Sequence, residues 1–253
     1  MSWRKIVPSL FTMLAMMAGF FSMISTAEGE YVLAAQLIML SMLMDGLDGT
    51  LARMLKGTTK FGAELDTYVD MTSFGLAPAF LLYHLVLKDS GILGYLVVSA
   101  YVLSGVSRLS RFRVVDPFRG QKGFLGLPIT AAAGYTACMV IATQAGLLDD
   151  TWFSLTHGPV AAFYWSSTLI MLILQISHVR FSKPTTNPLT LIPFSIMLVI
   201  LFARPQFAVA GALLLVLYGL YYAFISPFFY RHALLMAKDE DEEEEEEPLT
   251  LQH

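Results

Sequence analysis

Asp45-Gly46-Leu47-Asp48-Gly49-Thr50-Leu51-Ala52-Arg53 is the stretch that decides the fold of this chain, and Gly62, Asp66 and Asp70 follow it. Both parts lie inside or beside apolar runs, where carboxylates are costly and usually serve a function. If the first part is helical, one face carries Asp45, Asp48, Gly49, Ala52 and Arg53. The later three residues form a second stripe at a spacing of four. A short turn over 56–60 lets the two helices run antiparallel, so the sequence predicts a cup of four carboxylates with a wall of small residues.

The composition identifies a membrane protein. Of the 253 residues, 56% are hydrophobic, and the mean hydropathy is +0.62, well above the usual range of a soluble domain. A spanning helix needs about 20 apolar residues. Such stretches occupy residues 7–26, 31–54, 63–87, 93–114, 127–147, 159–178, 188–203 and 206–229. We therefore expect an all-α, polytopic bundle of about eight transmembrane helices, of which the seventh is the shortest.

Basic residues indicate the orientation of the bundle. If the N-terminus with Arg4 and Lys5 is cytoplasmic, the inner loops and termini collect every Lys and Arg except Lys88 and Arg204. This is the distribution expected for a multi-pass protein of the inner cell membrane. Both termini are then cytoplasmic, and the carboxylate cup opens toward the cytoplasm.

The last residues differ from the rest of the chain. The segment 239–247 is nearly all acidic and cannot bury apolar surface, which is typical of a disordered, solvated tail. We expect a membrane-embedded domain over 1–230 and an acidic cytoplasmic tail over 231–253.

Carboxylate oxygens suit hard divalent cations such as Mg²⁺ or Mn²⁺, and no His or Cys lies near the two stripes in sequence. Two ions between facing carboxylates commonly bind a diphosphate and clamp an in-line displacement. A diphosphate could not approach bare carboxylates, so the electrostatics also imply metal. The predicted chemistry is phosphoryl or phosphatidyl transfer. Gly49 and Ala52 either admit a flat nucleotide or serve helix packing.

The string Asp45-x-x-Asp48-Gly49-x-x-Ala52-Arg53, eight residues, Gly62-x-x-x-Asp66-x-x-x-Asp70 resembles the signature of the CDP-alcohol phosphotransferases at every defining position. The resemblance implies an all-helical membrane bundle, usually dimeric, with its active site at the cytoplasmic face. It implies that two metal ions are held by Asp45, Asp48, Asp66 and Asp70, and that Asp70 is also the base. It further implies a CDP-lipid site lined by Gly49, Ala52, Arg53 and Gly62.

Several other segments resemble bacterial and archaeal phosphatidylserine synthases. They are Phe61–Asp66, Ser73–Ala79, Ser107–Arg113 and Phe124–Pro128 with Ala131–Ala133. This resemblance implies CDP-diacylglycerol as donor and L-serine as acceptor, giving phosphatidylserine and CMP. Two departures, Thr67 and the pair Ile129-Thr130, lie near the expected substrate positions.

Three further residues are candidates for the acceptor or the lipid phosphate. Arg108 and Arg111 can supply a cation for an anionic group, or can anchor the chain at the membrane surface. Ser73 continues the stripe beyond Asp70. Its hydroxyl can bind the acceptor or form a hydrogen bond with a backbone group of a neighbouring helix turn. Other acceptors, such as glycerol 3-phosphate or inositol phosphate, and an ether-lipid donor stay open. So do the less favoured classes of intramembrane prenyltransferase and carboxylate-lined cation transporter.

Overall fold

A computed structural model describes residues 3–114, 124–181, 191–225 and 227–228. The α-helices are α1 (Trp3–Ala27), α2 (Tyr31–Met54), α3 (Lys60–Val69), α4 (Ala77–Leu82), α5 (Ile92–Val114), α6 (Ile129–Gln144), α7 (Gly158–Ile176), α8 (Leu191–Phe202) and α9 (Pro205–Leu220). Wider π-helical turns cover Asp70–Leu76, Tyr83–Leu87 and Tyr221–Ile225, and a 3₁₀ turn covers Lys88–Ser90. Two-residue strands β1 (Phe124–Leu125) and β2 (Arg180–Phe181) pair antiparallel. The acidic tail expected over 231–253 lies outside the described residues.

Within the described residues, six helical segments are long and apolar enough to cross a membrane: Trp3–Ala27, Tyr31–Met54, Lys60–Ser90, Ile92–Val114, Gly158–Ile176 and Pro205–Ile225. They coincide with six of the expected spans and confirm an all-α, polytopic membrane fold. The remaining two expected spans are also helical, but they are shorter than the sequence indicated. α6 has 16 residues, and α8 has 12.

The shortness of α6 has a local cause and a structural consequence. Proline at position 128 and the left-handed Gly126, at φ 76°, keep the preceding residues out of the helix. At roughly 1.5 Å per residue, α6 is about 24 Å long, less than the hydrocarbon thickness of about 30 Å. Nearly all of its residues are buried by neighbouring helices, so α6 forms the centre of the bundle.

α6 also begins deeper than its neighbours. A Cβ built on Gly75, one turn past Asp70, would lie 3.6 Å from Cδ1 of Ile129, the first residue of α6. A Cβ on Gly105 in α5 would lie 2.6 Å from the same atom. α5 continues from this level to Val114, about 13 Å farther at the usual helical rise. The start of α6 is therefore packed against α5 and the third span, well below the end of α5, and Ile129 is buried there.

Close packing of α1 fixes the two helices that carry the aspartates. Ala15 is fully buried, and its carbonyl accepts hydrogen bonds from Ser41 in α2 at 2.8 Å and from Ser73 at 3.2 Å. A Cβ on Gly19 would collide with Ser73. Small residues let these backbones approach closely, as in other membrane helix pairs. α1 is therefore pinned to α2 and to the third span together.

Candidate active site

Three aspartates meet at the facing sides of α2 and α3. Asp45, Asp48 and Asp66 each offer a carboxylate oxygen, and these atoms all lie within 4.8 Å of one another. Asp48 is buried, Asp45 is half-buried and Asp66 is exposed. The two helical stripes expected from the sequence thus come together for these three residues.

Two of the carboxylate oxygens have no protein partner. Asp45 Oδ1 and Asp48 Oδ2 are buried without a hydrogen-bond partner among the residues that the structure describes. A buried carboxylate oxygen without a donor is costly, and a cation would relieve that cost. Because the donor set consists of oxygens, it fits a hard divalent ion. The cluster can therefore bind a metal ion.

Asp70 lies outside this group of three. It follows Asp66 by one turn, begins the π-helical segment and is half-buried. Its carboxylate interacts electrostatically with Asp66 and with Arg108 of α5. Asp45 and Asp70 also interact, so the fourth aspartate is near the cluster as well as near a buried cation.

The turn between α2 and α3 is closed by backbone hydrogen bonds. Gly57 N–H donates to the Ala52 carbonyl at 2.9 Å, and Lys56 N–H donates to the Arg53 carbonyl at 3.2 Å. Lys56 adopts φ 50°, so the end of α2 has the form of a Schellman motif. Thr59 then caps α3, because its hydroxyl accepts from Gly62 N–H at 2.9 Å. These local contacts reverse the chain after α2, and α3 then packs mainly against α1.

A cavity of about 260 Å³ adjoins the cluster. All four residues expected to contact the CDP group line it, together with two of the aspartates: Gly49, Ala52, Arg53, Gly62, Asp48 and Asp66. A Cβ on Gly49 would meet only Arg53 Nη1, at 3.6 Å. Space, and not tight packing, therefore surrounds this glycine, which favours the nucleotide interpretation over helix packing.

α1 contributes to this cavity, which the sequence did not indicate. Pro8, Ser9 and Thr12 line it together with Gly57 at the turn. A Cβ on Gly57 would collide with the Arg4 carbonyl, so the beginning of α1 rests on this turn. The only signal was two hydroxyl residues three positions apart at the start of an apolar span.

Arg108 is buried within the bundle, with only 5% of its surface exposed. Its guanidinium lies over the rings of Phe112 at 5.5 Å and Phe124 at 5.7 Å. Its Nε has no hydrogen-bond partner in the described part of the chain. A surface anchor would extend toward headgroups, so the burial favours a role in binding an anionic group.

Arg111 and Ser73 have structural partners instead. Arg111 donates to the carbonyls of Gln175, Ile176 and Ser177 at 3.1, 2.6 and 2.6 Å, so it caps the end of α7. Ser73 is fully buried against α1 and donates to the Ala15 carbonyl. The structure therefore does not place either residue as a free group at the aspartate cluster.

Arg113 connects α5 to the aspartate-bearing helix. It forms an ion pair with Glu64 and donates to the Ala63 carbonyl at 3.2 Å. These contacts join the end of α5 to the beginning of α3.

Comparison with known proteins identifies the family of this chain. Residues 5–179 match the family model of CDP-alcohol phosphatidyltransferases. A CDP-diacylglycerol–serine O-phosphatidyltransferase from Helicobacter pylori (strain ATCC 700392 / 26695) is 32% identical over 217 residues, covering 84% of this chain and 89% of that protein. An enzyme of the same name from Methanocaldococcus jannaschii is 33% identical over 155 residues, or 56% and 74% of the two chains.

A second archaeal relative carries a different name. The archaetidylserine synthase of Methanothermobacter thermautotrophicus is 39% identical over 129 residues, covering 50% of this chain and 54% of that protein. Both aspartate stripes and the small residues between them fall within the matched family region. This chain belongs to the CDP-alcohol phosphatidyltransferase family.

Proposed function

We propose that this chain transfers the phosphatidyl group of CDP-diacylglycerol to the hydroxyl of L-serine, giving phosphatidylserine and CMP. The observation that carries the proposal is the meeting of three aspartates with a cavity walled by Gly49, Ala52 and Gly62. The names of the relatives support serine as the acceptor, because serine appears in the name of the Helicobacter pylori enzyme and in that of the archaetidylserine synthase. The lipid part differs between the two names, whereas serine is common to both.

The proposed cofactor is a pair of Mg²⁺ or Mn²⁺ ions, held by Asp45, Asp48, Asp66 and Asp70. When bound, such ions neutralise a diphosphate and stabilise charge that develops on it during displacement. The unpartnered oxygens of Asp45 and Asp48 support this assignment.

The cavity residues have separate roles in the proposal. Gly49 and Ala52 present almost no side chain, so the cytidine group can approach the α2 backbone, and Gly62 leaves room on α3. Arg53 is exposed at the cavity and can donate to phosphate oxygens. The donor would then lie with its diphosphate beside Asp48 and Asp66.

Asp70 is the proposed base. It accepts the proton of the serine hydroxyl while the serine oxygen bonds to the phosphorus that carries diacylglycerol. The bond from that phosphorus to the bridging oxygen breaks, and CMP leaves. Arg108, on the other side of Asp70, would bind the serine carboxylate or the lipid phosphate.

The placement in the cell is also a proposal. The basic residues near the turn between α2 and α3 favour a cytoplasmic active site in the inner membrane. We also propose a homodimer, and a catalytic domain over 1–230 with a separate acidic tail over 231–253.

Membranes or proteoliposomes that contain the protein test the proposal with CDP-diacylglycerol and a panel of labelled alcohols. We expect product and CMP with serine, but none with glycerol 3-phosphate or inositol phosphate. Excess chelator should abolish turnover, and Mg²⁺ or Mn²⁺ should restore it. Transfer to glycerol 3-phosphate but not to serine would refute the acceptor, and full activity in chelator would refute the metal requirement.

A further inference from the structure

The two short strands place an aromatic ring beside the buried arginine of α5. Phe124 on β1 pairs with Phe181 on β2. Just after β1, Gly126 donates its N–H to the Val179 carbonyl at 2.8 Å. These backbone contacts fix the position of Phe124 relative to the chain that follows α7.

Arg108 lies among aromatic side chains that come from three different elements. Its guanidinium carbon is 5.7 Å from the ring centre of Phe124 and 5.5 Å from that of Phe112, one turn later on α5. Both distances are within the range of a cation–π contact, roughly 6 Å. Arg108 also interacts electrostatically with Tyr222, whose ring centre lies 5.7 Å from that of Phe181. The guanidinium is therefore surrounded by residues of α5, the strand pair and the wide turn after α9.

This position is unusual for an arginine near the end of a membrane helix. Arg108 precedes Val114, the last residue of α5, by six residues, which is about 9 Å at the usual helical rise. A side chain as long as arginine normally extends along such a helix and places its charge among the headgroups. Arg108 is instead 5% exposed and interacts with Asp70. The aromatic contacts are the feature that can hold it there.

We propose that Phe124 is a positioning residue, whose ring holds the Arg108 guanidinium beside Asp70 so that it binds an oxyanion of one substrate. The inference rests on the proposed function, in which Arg108 binds the serine carboxylate or the lipid phosphate. A ring covers one face of a guanidinium, whereas the N–H groups point outward in its plane and can still donate to an anion. Among the described residues, none accepts a hydrogen bond from Arg108 Nε.

Holding the guanidinium in advance should strengthen binding. A free arginine side chain loses conformational entropy when a ligand fixes it, and a side chain that is already ordered avoids that cost. If Phe124 only filled space, an aliphatic side chain of similar size would serve equally well. Its effect would then not depend on the residue at position 108.

Phenylglyoxal, which modifies arginine, tests the restraint without any substrate. Mass spectrometry of the protein in nanodiscs gives the rate of labelling at Arg108. We expect slow labelling in the wild type and in Phe124→Tyr, which keeps the ring. Labelling should be about fivefold faster in Phe124→Leu, the size of one cation–π contact. Leu125→Ala is the matched control: Leu125 is the other residue of β1, its side chain points to the opposite face, and its variant should label like the wild type.

Steady-state rates in proteoliposomes test the effect on the reaction. Phe124→Leu should raise the Michaelis constant for serine or for the donor by about fivefold to tenfold, with a smaller change in kcat, and Phe124→Tyr should restore it. In an Arg108→Gln background, Phe124→Leu should have no further effect, because the group that the ring holds is gone. A ring that only packs would cause the same loss in both backgrounds.

The inference is overturned if Arg108 labels at the wild-type rate in folded Phe124→Leu. It is also overturned if labelling is faster but both Michaelis constants are unchanged, or if the loss is equal in the two backgrounds. Melting temperature in detergent reports folding, and Phe124→Met replaces Phe124→Leu if the latter does not fold. Failure of the proposed function would instead appear in the wild type, as no product from serine, and would leave the labelling rates as expected.

Discussion

Asp70 differs from the other three aspartates in its neighbours. Oxygens of Asp45, Asp48 and Asp66 lie within 4.8 Å of one another, whereas Asp70 is outside that group and interacts with Arg108 as well as with Asp66. A group that takes a proton in the transition state should affect turnover more than ground-state binding. A metal ligand should affect both.

Replacing Asp70 should therefore separate rate from affinity. Asp70→Asn should lower kcat by about 10²–10⁴, the usual contribution of a general base, and this loss should far exceed the loss of donor affinity that comes from its role as a metal ligand. Asp48→Asn should lower donor affinity as well as rate. Binding of CDP-diacylglycerol in nanodiscs and steady-state rates measure the two effects. Equal losses of affinity in both variants would argue that Asp70 serves only as a metal ligand.

The open space beside Gly49 should be needed for binding of the CDP-lipid. Gly49→Leu should prevent binding of the CDP-lipid, because the new side chain would extend into the cavity toward Arg53. The protein should still fold, since nothing else lies within 4 Å of the new Cβ. Gel filtration in detergent checks folding, and a donor-binding assay checks the site. Normal donor binding by this variant would return Gly49 to a packing role.

The sequence predicts the placement of some side chains at the site but not of others. The spacing of Asp45, Asp48 and Asp66 was enough to predict that they meet, because helical periodicity fixes which residues share a face. Periodicity does not determine how far a long side chain reaches. Arg108 and Arg111 lie one turn apart, yet one is buried between aromatic rings and the other binds α7 carbonyls. Such a difference depends on neighbours from distant parts of the chain.

At the scale of elements, α1 acts as a wall of the cavity as well as a membrane span. Its first turn rests on the turn between α2 and α3, where the Arg4 carbonyl leaves no room for a side chain on Gly57. The position of α1 and the shape of the cavity are therefore linked.

Gly57→Ala should displace the start of α1 and weaken donor binding, because a backbone carbonyl cannot move aside as a side chain can. We expect a lower melting temperature and a higher Michaelis constant for the donor. Gly46→Ala is the control, because Gly46 is exposed on α2 and a Cβ there would meet nothing within 4 Å. If the two variants behave alike, the contact between α1 and the turn does not shape the site.

The helices were predictable to within a few residues at most ends, since long apolar runs must form helices in a membrane. The π-helical structure inside the third span was not predictable. This span contains the π-helical segment Asp70–Leu76 before Pro78, and such wide turns leave no clear pattern in a sequence. The strands β1 and β2 were missed because two residues are too few for any periodicity.

At the scale of the whole molecule, the acidic tail should be dispensable for catalysis. The described aspartates and the cavity all lie within residues 5–179, which match the family model. Removal of residues 239–253 should leave kcat and both Michaelis constants within about twofold, because solvated acidic segments make few packing contacts. The truncated and full-length proteins would be compared in the same proteoliposomes. A large loss of activity would show that the tail contributes to the site.

The position of the cavity sets how the two substrates are supplied. It is lined by residues of the turn between α2 and α3 as well as by Asp48 and Asp66, so a zwitterion that enters past this turn need not partition into hydrocarbon. The lipid donor, in contrast, arrives by lateral diffusion within the bilayer. The effective concentration of the acceptor is then its molarity in water, whereas that of the donor is its mole fraction in the membrane. Dilution of the donor with inert phospholipid should therefore slow the reaction at a constant total amount of donor.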